Sequence, residues 1–320
     1  MRARVLYFVA PRQVELREEP LPDPAEGELT VETELSAISA GSELLLYRGE
    51  IPKETPLDEN LPSLPGTAGY PVAYGYSLVG RDSRGRRVFA FQTHRSAFVG
   101  PPGQLHLLPE SLPSEAAALL PTLETAVSLV HDARPLYGER VLVVGQGVVG
   151  LALTFLLARF PLERLSTVDR WERRRRASLA LGAADSFRPE TLEERDFDVT
   201  FEVSGSSEGL DLALAAAGDE GRIVVGSWYG GKRANVDLGT HFHRGRLRIL
   251  SSQVSRIAPE LRQRIGRERR FRMALEAASA LPFGELVSHR FPIERASEAY
   301  RLLDERPEEC LQVLLTYGRV

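Results

Sequence analysis

The 320-residue chain has one cysteine, Cys310, and two tryptophans, and only two of its 40 basic residues are lysines, Lys53 and Lys232. A single thiol excludes an internal disulfide, and without a Cys-x-x-Cys pair there is no structural zinc site of that kind. No stretch approaches the ~18 consecutive apolar residues needed to cross a bilayer. The opening "MRARVLYFVAP" holds an apolar run of about six residues, too short for the core of a secretory leader. A cytoplasmic location is therefore expected, with no membrane contact. Asparagine is nearly as scarce (Asn60, Asn235). Scarcity of lysine and asparagine fits thermostability or a GC-rich genome and does not separate them. Positive charge is not in excess either: the formal net charge is −4, so no nucleic-acid partner is expected. The basic runs "RWERRRR" (170–176) and "RQRIGRERRFR" (262–272) carry interspersed glutamates and read as solvated helix faces.

What is present is an ordinary globular composition, 43% hydrophobic and 26% charged, in a chain long enough for two domains. The two parts differ in grammar. Up to about residue 120 the pattern is short and alternating, in "RVLYFVAP", "QVELREEP", "ELTVETELS" and "RRVFAFQTH", broken by Gly and Pro as in an antiparallel, partly barrel-like domain. The Pro-rich stretch 51–71 reads as a long surface loop. Strand and helix patterns then alternate through "RVLVVG", "VVGLALTFLLARF", "LSTVD", "WERRRRASLALGA", "DVTFEVSG" and "GRIVVGSW". That alternation builds a parallel sheet covered on both faces, an α/β architecture. The expected division is a first domain over 1–121 completed by 254–320, and a second over 122–253, with a cleft between them.

The second region carries the firmest chemical signal. "VLVVGQGVVGLAL" places Gly145, Gly147 and Gly150 between a strand and a helix. Gly145 permits a tight turn, Gly147 leaves room for a pyrophosphate and Gly150 allows close helix–strand packing. The following helix N-terminus, at Val148 and Val149, offers unpaired N–H groups to phosphate. The next strand ends at Asp169, 169 − 145 = 24 residues after the first glycine, near the ~20 expected of a ribose-binding carboxylate. A carboxylate there repels a 2′-phosphate and favours NAD, while Arg170 and Arg174 leave NADP possible. The alternatives are a structural turn and S-adenosylmethionine binding.

A second polar place lies in "SAISAGSELLLYRG" (36–49), where hydroxyls and Glu43 interrupt an apolar run. Here the readings stay open. Ser42 is either a proton-passing hydroxyl or the N-cap of a helix. Tyr76 is either a phenol donating to an oxyanion or a packed tyrosine. Glu124 is either a general base at the mouth of a cleft or a helix N-terminal glutamate favoured by the dipole. His94 reads more readily as a core or surface histidine than as a base. His241 and His243, spaced like metal ligands but lacking a third, read as strand alternation.

Taken together the motifs resemble the medium-chain dehydrogenase/reductase superfamily, whose best-known members are zinc alcohol dehydrogenases. The likeness spans nearly the whole chain and implies a GroES-like catalytic domain with a Rossmann domain. On it, "AGSELLLYRG" is similar to the family's Cys-Gly-Ser-Asp loop, with Ala40 in the place of the zinc cysteine, Ser42 on the proton-relay hydroxyl and Glu43 on the adjoining carboxylate. "YGYSLVG" (74–80) is similar to the Gly-His-Glu segment, with Tyr76 for the zinc histidine and Ser77 for the glutamate. "LLPTLETAVSL" has Pro121 near the last zinc ligand and Thr125 on the nicotinamide-contacting residue. Arg174 falls where the family holds adenosine, and the strand ends "FEVSG" and "VVGSW", with Val203, Ser204, Gly226 and Ser227, edge the nicotinamide. The four-cysteine lobe is missing. The overall pattern is similar to the branch containing bacteriochlorophyllide hydroxyethyl dehydrogenases, which also carry Tyr in place of that His.

The resemblance implies a zinc-free NAD(P)-dependent oxidoreductase of an alcohol/ketone pair, with a small-molecule substrate and a homodimer through the Rossmann sheet edge. An enoyl or quinone reductase, or a non-catalytic dinucleotide binder, remains an alternative. Without a Lewis acid, the negative oxygen needs hydrogen-bond donors, and Ser42 and Tyr76 are the candidates.

Overall fold

A computed structural model of the chain describes residues 1–58 and 60–318. The strands and helices run β1 (Arg2–Ala10), β2 (Gln13–Pro20), β3 (Leu29–Ile38), α1 (Ala40–Arg48), β4 (Val72–Ala73), β5 (Leu78–Asp82), β6 (Arg87–Ala90), β7 (Ala97–Gly100), β8 (His106–Leu107), α2 (Ser114–Ala117) and α3 (Leu120–Ala133). There follow β9 (Arg140–Val144), α4 (Val148–Leu157), β10 (Arg164–Val168), α5 (Glu172–Ala180), β11 (Asp185–Phe187), β12 (Phe197–Glu202), α6 (Ser207–Ala216), β13 (Ala217–Val225) and β14 (Arg248–Ser251). The chain ends with α7 (Arg267–Ala280), β15 (Val287–Pro292), α8 (Ala296–Glu305) and β16 (Gln312–Thr316).

Two compact units result, Met1–Pro121 with Pro282–Val320, and Thr122–Leu281. The return to the first unit comes at Pro282, not at the expected 254. The physical reason is Arg270 on α7, which is buried against Glu124 and Ser128 of α3. That contact keeps the basic segment in the second unit and withdraws this arginine from the solvated face expected of it.

In the first unit, β3 is the centre of a seven-stranded sheet ordered β15-β16-β3-β5-β6-β8, with β7 also on β3. β16 lies antiparallel to β3, Val313 opposite Ile38 and Leu315 opposite Ser36. A smaller sheet, β2-β1-β4, stands beside it. The core joins Phe8, Ile38, Leu46, Tyr74, Tyr300 and Leu315. Phe8, at 0% exposure, contributes roughly 1.5–3 kcal/mol by burial. The Pro-rich 51–71 segment is less superficial than its composition implies, because Ile51, Leu64 and Ala68 are buried in that same core. Three apolar residues spaced along a polar loop carry no period, so the sequence hides them.

The second unit is a six-stranded parallel sheet, order β11-β10-β9-β12-β13-β14. Counted from β9 as first strand this is 3-2-1-4-5-6, the doubly wound dinucleotide-binding order. β9, "RVLVV", is continuously apolar because helices cover both faces. The order reverses beside β9, where a crevice for a ligand is expected at the carboxyl ends of the strands. His241 and His243 are not on a strand, as alternation suggested. They lie on and just after a wide helical turn, Leu238–Phe242, with His241 Nε2 bonded to the Ala217 carbonyl at 2.8 Å.

Candidate active site

The turn after β9 is shaped by what its glycines lack. Gly145 has φ +97°, and a Cβ on it would lie 2.6 Å from the Ser204 nitrogen. That close approach joins the ends of β9 and β12, a duty beyond the tight turn expected from sequence. A Cβ on Gly150 would fall onto the Gly145 carbonyl oxygen, inside van der Waals contact, so α4 packs directly on the turn. Gly147 is the N-cap of α4, with open space around it apart from Arg174. By helix geometry the first-turn amides after it, Val148, Val149 and Gly150, have no acceptor within α4. The result is a concave, backbone-lined anion cradle.

Asp169 directly follows β10 beside this cradle. One carboxylate oxygen accepts from the Gln146 amide (2.8 Å) and the other from the Trp171 amide (2.9 Å). Arg174 Nη1 is 3.9 Å away, and its guanidinium lies over the Trp171 ring at 4.2 Å. Arg170 is exposed next to it. Each carboxylate oxygen still has a lone pair for a ribose hydroxyl. Arg175, counted among a solvated basic run, instead turns inward onto the carbonyls of Asp169 and Arg170.

The strand ends expected to edge a nicotinamide meet as well. Ser227 Oγ accepts from the Gly205 amide at 2.8 Å, tying the end of β13 to the turn after β12 that holds Val203 and Ser204. A Cβ on Gly226 would meet Leu129 Cδ2 at 2.6 Å, and Leu129 is one helical turn along α3 from Thr125. Glu202, not singled out from sequence, is fully buried at the end of β12. One of its oxygens receives the Ser204 amide (2.7 Å), the Ser204 hydroxyl (2.7 Å) and the Gly205 amide (2.9 Å). A glutamate inside the apolar run "DVTFEVSG" was the signal available.

Glu124 is a correction. It is buried, 5% exposed, in an ion pair with Arg270 at 3.1 Å. Burial pushes its carboxyl above the usual range and the Arg270 charge pulls it part of the way back. A carboxylate locked on a buried guanidinium is no open general base.

In the first unit three hydroxyls converge at the start of α1. Tyr76 OH donates to Ser39 Oγ, which leaves Ser42 Oγ to donate to Tyr76 OH at 2.6 Å, and Ser42 Oγ also lies 3.3 Å from Ser39 Oγ. Ser42 is therefore not the helix cap; Ser39 occupies that position and makes no side-chain capping bond. Burial pushes the Tyr76 phenol up to about 12, with the bonds from Ser39 and Ser42 working in the opposite direction. Tyr76 thus keeps its proton at neutral pH. With one hydrogen on each hydroxyl, Ser42 donates to Tyr76 and Tyr76 to Ser39, so the Ser39 hydrogen is the one not spent inside the trio. Sequence reasoning missed Ser39, although a spacing of three from Ser42 puts the two on one face of a helical turn.

Behind the trio lies a sealed network. Glu43, fully buried, accepts the Ser39 amide (2.7 Å), His94 Nε2 (3.0 Å) and the Tyr300 hydroxyl. His94 Nδ1 faces Ser36 Oγ at 2.7 Å, and Ser36 Oγ faces Tyr317 OH at 2.8 Å. Tautomers follow from the acceptors: Nε2–H donates to the carboxylate, and Nδ1 accepts from Ser36. Ser36, His94 and Glu43 have the bonding order of a nucleophile, base and carboxylate. Ser36 and His94 are both 0% exposed, so no substrate reaches them, and His94 is the core histidine expected.

No family model matches the chain. It is 25% identical over 345 residues, covering 99% of both chains, to the 2-desacetyl-2-hydroxyethyl bacteriochlorophyllide A dehydrogenase of Cereibacter sphaeroides. Among solved structures, an Escherichia coli alcohol dehydrogenase complexed with NADH superposes with a TM-score of 0.77 at 19% identity, over 98% of this chain and 99% of the other. A zinc-binding dehydrogenase from Sinorhizobium meliloti bound to NADP gives 0.78 at 18% identity, over 99% of each. The likeness to dehydrogenases over the whole chain, in sequence and in fold, supports the medium-chain dehydrogenase/reductase superfamily and an oxidoreductase.

The glycine turn fits a dinucleotide, since Gly147 leaves open space before the first-turn amides of α4, where a Cβ would meet nothing nearer than Arg174 Nη1 at 3.7 Å. The residues in the places of a catalytic zinc do not fit that metal. Ala40 has no donor atom, and the phenol of Tyr76 stays protonated and is engaged by two serines. Among the described residues, no three His, Cys, Asp or Glu gather as a metal would require.

Proposed function

We propose that this chain is a zinc-independent, nicotinamide-dependent dehydrogenase of an alcohol/ketone pair, with NAD preferred over NADP. The observation that carries the reading is the Ser39–Ser42–Tyr76 trio, a proton-bearing cluster in the place where zinc-dependent members of the fold carry metal ligands. The relative named for a hydroxyethyl-bearing chlorophyllide supports an alcohol as substrate, and the neighbours solved with NADH and NADP support the cofactor.

The second unit would hold the cofactor: the amides at Val148 and Val149 on the pyrophosphate, Asp169 on the ribose with Arg170 and Arg174 alongside, and Thr125, Val203, Ser204, Gly226 and Ser227 at the nicotinamide end. A nicotinamide held by these residues would supply hydride transfer to or from the substrate carbon. The first unit would handle the proton. In reduction the Ser39 hydrogen is donated to the developing oxyanion and is replaced from Tyr76, that of Tyr76 from Ser42, and that of Ser42 from water. In oxidation the same chain runs backwards and delivers the proton to water. A donor of this kind is worth roughly 10²–10³ in rate. The phenol's raised pKa keeps it protonated at neutral pH, so the chain of hydroxyls is complete without a metal.

Homodimerisation in the cytoplasm goes with this reading. The support is β14, an edge strand whose Ile249 is 42% exposed; light scattering of purified protein measures it.

The deciding experiment combines metal analysis with kinetics. Purified protein should contain substoichiometric zinc, keep its activity in chelator, and bind NADH more tightly than NADPH. Ser42→Ala should lower kcat with little change in NADH affinity. Stoichiometric zinc, or turnover of enoyls and quinones but not of alcohols or ketones, would overturn the reading.

A further inference from the structure

Burying a carboxylate is costly unless every oxygen is matched by donors, and a well-packed apolar side chain in its place is generally as stable or more so. Glu43 is nevertheless buried at 0% exposure in the core of the first unit. Its donors come from three distant places in the chain. The Ser39 amide opens α1, His94 belongs to the segment before β7, and Tyr300 is on α8. None of them is a solvent contact and none faces a substrate.

What these donors hold is the trio. Through the Ser39 amide, Glu43 fixes the first turn of α1, which carries Ser39 and Ser42. The His94 ring lies flat on the chain beside Tyr76: a Cβ on Gly75 would be 2.6 Å from His94 Cδ2, at a residue whose φ is +110°. The His94 amide also bonds the Tyr74 carbonyl at 3.3 Å. The Glu43–His94 bond therefore spans the two segments whose side chains must meet for Ser42 Oγ and Tyr76 OH to stand 2.6 Å apart. Tyr300 donates to the same carboxylate oxygen as His94, with its ring packed on Tyr47 at 5.4 Å and on Phe8 at 5.2 Å.

We propose that Glu43 is the positioning residue of the hydroxyl trio, setting the Ser42–Tyr76 contact through its bonds to the Ser39 amide, His94 and Tyr300. This deepens the proposed function, on which its catalytic consequence rests. Glu43, His94 and Tyr300 touch neither substrate nor cofactor. A displacement of about 1 Å at the reacting groups costs up to ~10²-fold in rate, and a glutamine at position 43 can accept through only one of its two terminal atoms.

The test uses the full chain labelled with ¹³Cζ-tyrosine, the Tyr76 resonance being assigned by its loss in Tyr76→Phe. Glu43→Gln should move the Tyr76 signal away from its wild-type position, and Tyr300→Phe should move it in the same direction by less. Tyr300→Phe keeps the ring and its packing, so it serves where Glu43→Gln fails to fold. Neither substituted side chain bonds Tyr76, but Glu43→Gln removes a charge that acts on its phenol. Tyr300→Phe keeps that charge, so its shift is the deciding one, and a merely stabilising role leaves the signal of that variant in place. With acetophenone and NADH as probes, both variants should lower kcat by ~10- to ~100-fold while NADH affinity stays within about twofold. An unmoved Tyr76 signal in a folded variant overturns the positioning role whatever the turnover. If the signal moves while neither wild type nor variant reduces any ketone, the positioning stands and the dehydrogenase reading falls.

Discussion

The glycine turn of the second unit and the hydroxyl trio of the first are built in opposite ways. The turn is made of backbone: Gly145, Gly147 and Gly150 work by what they omit, within six consecutive residues. The trio is made of side chains drawn from residues 39, 42 and 76 and braced from 43, 94 and 300. Sites of the first kind tolerate sequence drift around them, since amides come with every residue. Sites of the second kind depend on particular atoms arriving from far apart.

The comparison can be strained at four points. The largest effect is expected at Glu124→Ala, which strands the Arg270 guanidinium in the interior of the second unit; chemical denaturation should show a loss of about 3–5 kcal/mol. Unlike Glu43, this carboxylate is not assigned to the chemistry, so kcat of the folded fraction should hold. Next, Tyr76→Phe should cost ~10²–10³ in kcat, about 2.7–4 kcal/mol, with NADH affinity unchanged in fluorescence titration. A parallel fall in affinity would blur the division between the two sites. Gly150→Ala inverts that pattern: overpacking against the Gly145 carbonyl should weaken NADH binding by about 1–3 kcal/mol and leave kcat at saturation near wild type. The smallest effect concerns pH. Burial raises the Glu124 carboxyl above its ordinary 4.5, so the folded chain holds that proton more tightly than the unfolded one. This group's contribution to stability is then fully present below 4.5 and is lost as pH rises through the raised value. Glu124→Gln should flatten that slope, and an unchanged slope would place the titration elsewhere.

How legible each region was follows from the same contrast. The strand–turn–helix of "VLVVGQGVVGLAL" announces itself by local pattern, and the sheet order follows from the strand–helix alternation. Asp169 could be placed by counting. Ser42 and Tyr76 were found only through likeness to a family motif, because 34 residues separate them. Ser39 went unnoticed beside its neighbour. Glu124 misled because its burial depends on Arg270, 146 positions away, and nothing in "PTLETAVS" announces a partner. The boundary at 254 failed for the same reason. Long-range ion pairs leave no period.

The placement of β16 beside β3 has a consequence for how the protein is made. The first unit is assembled from two separate stretches of chain, whereas the second is encoded without interruption. During synthesis from the N-terminus, the second unit has all its residues while β3 still lacks β16 and Tyr300 has not been added. A chain stopped after residue 281 therefore holds every residue of the second unit, while Glu43 in the first lacks the hydroxyl that Tyr300 brings to it.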